Sequence, residues 1–398
     1  MRSPLLELPG AVANSAAGDH PAGPPAEQDP AGPQIKHPVP GHPVTQNPGT
    51  PAPLAPDPDS AISWHYGDPI AEQRAAVTQS ALFDLSHRDV LTVTGVDRLS
   101  WLHTLTSQAL DTLPDGGVTE ALVLSPTGHV EHHAVVTAVG DTVYLDTEPG
   151  HGAALIGYLK SMIFWSTVEL ATADLGLLRL TGPERVFVGA PSQGATVSGA
   201  AGFVRSRADA IEIAVPRADL GKLAAAIIAG GARPAGSWAA DALRIPTRVP
   251  RLGVDTDERT IPNETSWLAS AVHLDKGCYR GQETVARVNN LGRPPRRLVM
   301  LNLDGSVDRL PHTGSEVLTA GTAGGGRVVG RVGTVAYHHE NGPIALAMVK
   351  RSLPLDTRLM VDGVDAMIDP DDAVAADNAG PAPRSAVDHR SLPRIRPR

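Results

Sequence analysis

The chain has 398 residues, of which 41% are apolar, enough for roughly two or three ordinary domains with packed cores. Its formal net charge of −9 speaks against a general nucleic-acid binder, and its longest apolar run, Leu223 to Ala229, is too short to cross a bilayer. One cysteine, Cys278, excludes an internal disulfide, a four-thiolate cluster and a zinc ribbon, so no stable metal site is expected.

Residues 1–60 hold fifteen of the 36 prolines and no aromatic residue. Such a composition cannot bury enough surface to offset the entropy of ordering, and a disordered leader is expected. Glu7 and Pro9 interrupt the amino-terminal apolar residues, so the chain lacks a signal-peptide pattern and reads as cytoplasmic. An ordered body over 61–296 opens with Trp64 and a helical stretch near Pro69 to Leu82. A strand follows over Asp89 to Gly95, then a helix that Asp97 can cap, with Leu99, Leu102 and Leu105 on one face. Strands over Glu120–Leu124, Val130–Val139 and Thr142–Asp146 are separated by glycine turns, and a helix near Ala153 to Phe164 closes the unit.

After a break near residue 170 the pattern returns more weakly, with strands near Leu177–Leu180, Gly202–Arg205 and Ile211–Val215 before an Ala-rich helix, Arg217 to Ala229. Beyond Pro294-Pro295 only strands are expected, and residues 297–368 read as a small β-barrel. Residues 369–398, poor in large apolar side chains, read as a disordered tail. The expected class is therefore α+β: two tandem halves of antiparallel sheet plus helix, then a small carboxy-terminal β-barrel.

The chemistry-bearing segment is Lys276-Gly277-Cys278-Tyr279-Arg280-Gly281-Gln282-Glu283, followed by a helical run that Gly292 can end. Two glycines bracket the thiol and permit close backbone approach of a ligand or partner. The helix start and the cations Lys276 and Arg280 favour thiolate over thiol, while Glu283 and Arg287 are spaced to pair at i, i+4. The plainer alternative is a small, inert, buried cysteine whose charged neighbours solvate a helix end. Adjacent histidines, His132-His133 and His338-His339, point to opposite strand faces and do not make a metal site.

This octapeptide, with Ile261-Pro262-Asn263-Glu264 and Ala271-Val272 ahead of it, resembles the signature of the YgfZ family, folate-binding relatives of the glycine-cleavage T-protein. Asp84-Leu85-Ser86-His87, Val93-Thr94-Gly95-Val96-Asp97 and the strands Gly330 to Gly333 and Ala345-Leu346 extend the likeness over roughly residues 65–365. The resemblance implies a T-protein-like folate-binding body, with tetrahydrofolate as cofactor. It implies as partners iron-sulfur enzymes or their assembly proteins, including radical enzymes that modify transfer RNA. Cys278 is then the working residue, and Glu264, Lys276, Gly277, Tyr279, Gly281, Gln282, Glu283 and Arg287 the expected cofactor-binding set.

The sequence departs from T-proteins at two places. Where they carry a pterin-holding glutamate after a Leu-Arg pair, this chain has Leu243-Arg244-Ile245-Pro246, and Pro246 offers no side-chain partner; Glu264 is the candidate replacement. Where they carry an acidic pair, only Glu131 stands beside His132. Three functions stay open: a folate-binding accessory factor for iron-sulfur proteins, a folate-dependent aminomethyltransferase, and a folate- or redox-sensing scaffold that binds partners along the basic stretch around Arg293 and Arg296.

Overall fold

The computed structural model describes residues 2–14, 58–185, 187, 193–198, 202–207, 209–321 and 326–373. Two open sheets and one closed barrel carry the fold, and the expected α+β class with a terminal barrel is the one observed.

The first sheet has the order β5-β6-β7-β4-β8 and is antiparallel throughout, built from β4 (Asp89–Thr94), β5 (Val118–Leu124), β6 (Val130–Val139), β7 (Thr142–Thr147) and β8 (Glu169–Thr172). Side chains alternate across a strand, and β6 uses both faces. Its even positions Ala134, Val136 and Ala138 pack under α2 (Arg98–Leu105) and α3 (Gly152–Ser161), with Trp101, Leu102 and Leu159. Its odd positions Val135 and Val139 turn the other way, toward the second sheet.

That second sheet runs β10-β11-β12-β9-β3-β13, from β9 (Leu175–Thr181), β10 (Gly194–Ser198), β11 (Gly202–Ser206) and β12 (Ala210–Pro216) to β3 (Ala81–Asp84) and β13 (Arg233–Ala235). Helix α4 (Arg217–Ala229) covers its outer face through Leu220 and Ala224 against Leu178, Leu180, Val204 and Ile213. The two halves are not sequential units. Ala81 and Leu82, expected at the end of a helix, open β3 instead, because α1 (Pro69–Thr78) stops at Thr78. This strand belongs to the second sheet, antiparallel to β9 and parallel to β13.

Residues 2–14 correct the expectation of a wholly disordered leader. A short 3-10 helix, Pro4–Glu7, buries Leu5 among Leu82, Leu178 and Leu220, and β1 (Val12–Ala13) pairs with β2 (Ser63–His65). Composition averaged over sixty residues hid the local cluster Leu5, Leu6 and Leu8. The remainder of the leader, 15–57, lies outside the described residues, as does 322–325 of the glycine-rich connection.

The barrel closes in the order β14-β17-β16-β15-β18-β19 over β14 (Arg296–Leu303), β15 (Glu316–Thr319), β16 (Val328–His338), β17 (Gly342–Lys350), β18 (Leu359–Val361) and β19 (Val364–Ile368). Odd residues of β14 and β17, among them Val299, Leu301, Ala347 and Val349, fill its interior. Even residues Leu298, Met300, Leu346 and Met348 face Trp238 and Ala242 of α5 (Ser237–Arg244), which docks barrel to body. The expected tail is ordered at its start: Asp372 accepts from Met300 N at 2.9 Å, and Arg248 pairs with Asp369 at 2.9 Å and Asp372 at 3.2 Å. Residues 374–398 lie outside the described set.

Candidate functional site

The inward faces of the two sheets meet at an apolar seam, Val90, Val139, Leu177, Phe203 and Ala214, and beside it enclose a cavity of about 460 Å³ that α5 borders. Its walls carry charges of both signs, placed at period-two positions of otherwise apolar strands. Arg205 is fully buried and binds Glu212 through Nε at 2.5 Å, with Asp146 and the Thr137 hydroxyl at 2.5 and 2.8 Å from Nη1. Arg88 reaches Asp146 at 3.0 Å and Glu148 at 2.8 Å. Arg251 joins Glu148 at 3.0 Å to Asp59 at 2.7 Å, and Asp59 also holds His87 Nε2 at 3.1 Å.

Burial alone raises a carboxyl's pKa, but here the cations outweigh it. Arg251 and Arg88 hold Glu148 down at about 2, and Arg205 and Arg88 hold Asp146 below its usual range. The network is thus self-neutralising. Among the described residues, His87 Nδ1 and Thr181 Oγ1 of this lining are buried without a hydrogen-bond partner.

The Cys278 segment lies elsewhere. Gly281, at φ 81, starts α7 (Gln282–Leu291), which follows the one-turn α6 (Trp267–Ser270), and a Cβ at Gly281 would stand 2.5 Å from Ser125 O and 2.9 Å from Gly128 Cα. The segment therefore sits tightly on the turn of the β5–β6 hairpin, and Thr284 Oγ1 donates to Thr127 O at 2.8 Å. Cys278 itself is exposed.

Residues 62–188 match the GCVT N-terminal domain. The chain is 27% identical over 252 residues to an aminomethyltransferase of Prosthecochloris aestuarii, covering 56% of this chain and 69% of that one. It is 28% identical over 304 residues to an aminomethyltransferase of Symbiobacterium thermophilum, covering 68% and 78%. The crystal structure of glycine cleavage system aminomethyltransferase T from Bartonella henselae superposes with a TM-score of 0.64 at 20% identity, over 75% of this chain and 87% of that one. The likeness is thus to aminomethyltransferases in sequence over the GCVT N-terminal domain and to a T-protein in fold.

None of Glu264, Lys276, Gly277, Cys278, Tyr279, Gly281, Gln282, Glu283 and Arg287 lines the central cavity. Glu264, the candidate pterin contact, is buried and already bound by Arg296 through Nε and Nη2, both at 2.8 Å, and by Ile261 N at 3.1 Å. Lys276 does not turn to the sulfur: its ammonium donates to the carbonyls of His103, Thr106 and Gln108, 2.7 Å and 2.9 Å for the last two. Burial pushes that ammonium down to about 8. Arg280 is likewise committed, 2.7 Å from Glu131 and stacked over Tyr158 at 5.5 Å.

Gln282 ties back to Lys276 O at 3.3 Å, and Tyr279 is buried with its phenol pushed up to about 12 by desolvation. Glu283 and Arg287 pair on the exposed face of α7, as their spacing indicates. Gly277 faces open space, so only Gly281 is sterically required. Glu131, held by Arg280, is absent from the cavity wall.

His132 and His133 diverge as adjacent strand positions do, but His338 and His339, where β16 ends, do not: their rings lie 4.5 Å apart, and His132, His133 and His338 are buried. His133 stacks on Trp267 at 4.8 Å and meets Glu120 at 3.3 Å. Among the described residues no helix is long and apolar enough to cross a membrane. Sequence reasoning missed the cavity network entirely. Its signal was the charged residue flanked by aliphatics in Leu178-Arg179-Leu180, Val204-Arg205 and Ile211-Glu212-Ile213, a pattern that on a one-sided sheet means solvent and here means a second sheet.

Proposed function

We propose that this chain is a cytoplasmic folate-binding accessory protein of the YgfZ type, acting in assembly or repair of iron-sulfur proteins, with tetrahydrofolate in the central cavity and Cys278 as its working thiol. The observation that carries the reading is the β5–β6 hairpin, which lines the cavity with Glu120 and His133 and supports the exposed Cys278 turn at its tip. Folate brings a flat heteroaromatic ring with mixed donors and acceptors. His87 Nδ1 and Thr181 Oγ1 suit such edges, Phe83, Leu85 and Val135 offer apolar wall, and the paired arginines need no further anion. The contact that Pro246 removes is thus sought at His87 rather than at Glu264.

Calorimetric titration of tetrahydrofolate into the full chain is expected to show saturable binding. Binding should fall by about tenfold in His87→Gln, whose amide still reaches toward Asp59 but leaves no nitrogen at the Nδ1 position. It should be unchanged in Cys278→Ser, while cells carrying only Cys278→Ser lose iron-sulfur enzyme activity. Absence of uptake by the unmodified protein rejects the folate assignment, and normal iron-sulfur activities with a stable Cys278→Ser protein reject the thiol's role.

The similarity to aminomethyltransferases favours a second reading, folate-dependent aminomethyl transfer. Glu131 is poorly placed for it, being paired with Arg280 outside the cavity wall. Tetrahydrofolate-dependent release of ammonia or methyl from amine donors decides between the two.

A further inference from the structure

Among the described residues, most of the half-buried arginines are matched to acids. Arg88, Arg205, Arg244, Arg248, Arg251 and Arg296 each have a carboxylate oxygen within 3.2 Å. One group breaks the pattern, and it lies at a mouth of the barrel, away from the cavity described above.

Strand register defines this group. Arg296 stands opposite Lys350 and Arg297 opposite Val349. The even face turns Arg296 to the body, where Asp257 and Glu264 take its charge at 2.6 and 2.8 Å. The odd face is the barrel interior, and Arg297 continues the line of Val299 and Leu301 out to its rim. Arg351, two residues beyond the interior Val349, extends the same face of β17, and its N–H still donates to Pro295 O at 2.9 Å. Arg297 and Arg351 are therefore diagonal neighbours, about 7–8 Å apart at the backbone and within mutual reach of long side chains. Arg293, exposed just before β14 and near enough for its charge to act on Arg351, is the third member. Burial and then the charges of Arg293 and Arg297 press the Arg351 guanidinium below its ordinary pKa.

Among the described residues no carboxylate pairs with any of the three. Arg297 spends Nη2 on Leu353 O at 3.1 Å, and its Nε is buried without a partner. Three neighbouring cations without a counter-charge repel one another, a cost that a chain of net charge −9 has ample acids to relieve and here does not. Guanidinium forks match the oxygens of phosphate and carboxylate groups.

We propose that Arg293, Arg297 and Arg351 form a binding site for a multiply charged oxyanion group at the rim of the barrel. The group comes either from a phosphate ester or from clustered carboxylates such as a glutamyl chain. This site is independent of the folate reading and stands or falls without it.

The full chain is titrated with pyrophosphate and, separately, with tri-γ-glutamate at constant ionic strength, following heat and melting temperature. Saturable uptake of the first assigns a phosphate source, and of the second a carboxylate source. In either case Arg351→Gln and Arg293→Gln should each weaken uptake by about tenfold. Without anion, Arg351→Gln should melt no lower than the unmodified protein, because it relieves repulsion, whereas an arginine that merely plugs the barrel end would be missed. Uptake of neither probe, uptake unaltered by both substitutions, or a lower melting temperature for anion-free Arg351→Gln overturns the proposal.

Discussion

Replacing Arg205 by methionine is expected to lower the unfolding free energy by about 3–5 kcal/mol, the range for removing one partner of a buried ion cluster. The substitution keeps most of the stem's volume but leaves Asp146 and Glu212, both about 1% exposed in their side chains, facing each other across the space the guanidinium filled. Arg88 and Arg179 still touch one carboxylate each, so the loss is partial rather than complete. Urea unfolding reads it as a lower midpoint at an unchanged slope. A loss below about 1 kcal/mol would mean that water or neighbouring arginines already carry these charges. Adding Asp146→Asn and Glu212→Gln to the methionine variant should recover part of the loss, since neutral groups are cheaper to bury.

The second large effect is on acid stability. Burial first, then His151 and Arg280, hold His132 at about 4, against 6.5 for a free imidazole. Between those values the unfolded chain binds a proton that the native protein refuses, so unfolding gains on folding as pH falls. Stability should drop from pH 6.5 toward 4, by up to about 3 kcal/mol from this group at roughly 1.4 kcal/mol per unit. His65 and His338 are also lowered by burial and slope the same way, so the measurement is a difference. His132→Phe, which can still pack against Tyr158, should flatten the limb between pH 6.5 and 4.5 relative to the unmodified protein. Below that window the salt-bridged carboxylates Glu148 and Asp146 begin to lose their stabilising charge as well. Parallel curves for the two proteins would show that His132 takes up its proton in the native state.

Much of the architecture was readable because periodicity and turns agree: β6 and β7 follow the strands expected around Gly140-Asp141, and the glycine-punctuated segments after Pro295 close into a barrel. The failures have a common physical origin. Sequence windows register neighbours along the chain, whereas Leu5, Asp59 and Asp372 are buried by residues far away in number. The Cys278 segment was legible as a glycine-bracketed turn before a helix. Its electrostatics were not, because proximity in sequence placed Lys276 and Arg280 beside the thiol while the fold points them at carbonyls and at Glu131. The cavity network escaped for the reverse reason: Arg205, Asp146 and Glu148 look like isolated surface charges until two sheets face each other.

Strand β3 couples the order of synthesis to the order of assembly. It leaves the ribosome more than ninety residues before its antiparallel neighbour β9 and still further ahead of β13, so both of its edges wait unpaired while the first sheet is already complete. A nascent chain paused near residue 172 therefore presents an open apolar ribbon, Ala81-Leu82-Phe83, to any chaperone or stray strand nearby. Tethering that half alone to a fusion partner should yield sticky, insoluble material, and solubility should return once translation proceeds past Ala235.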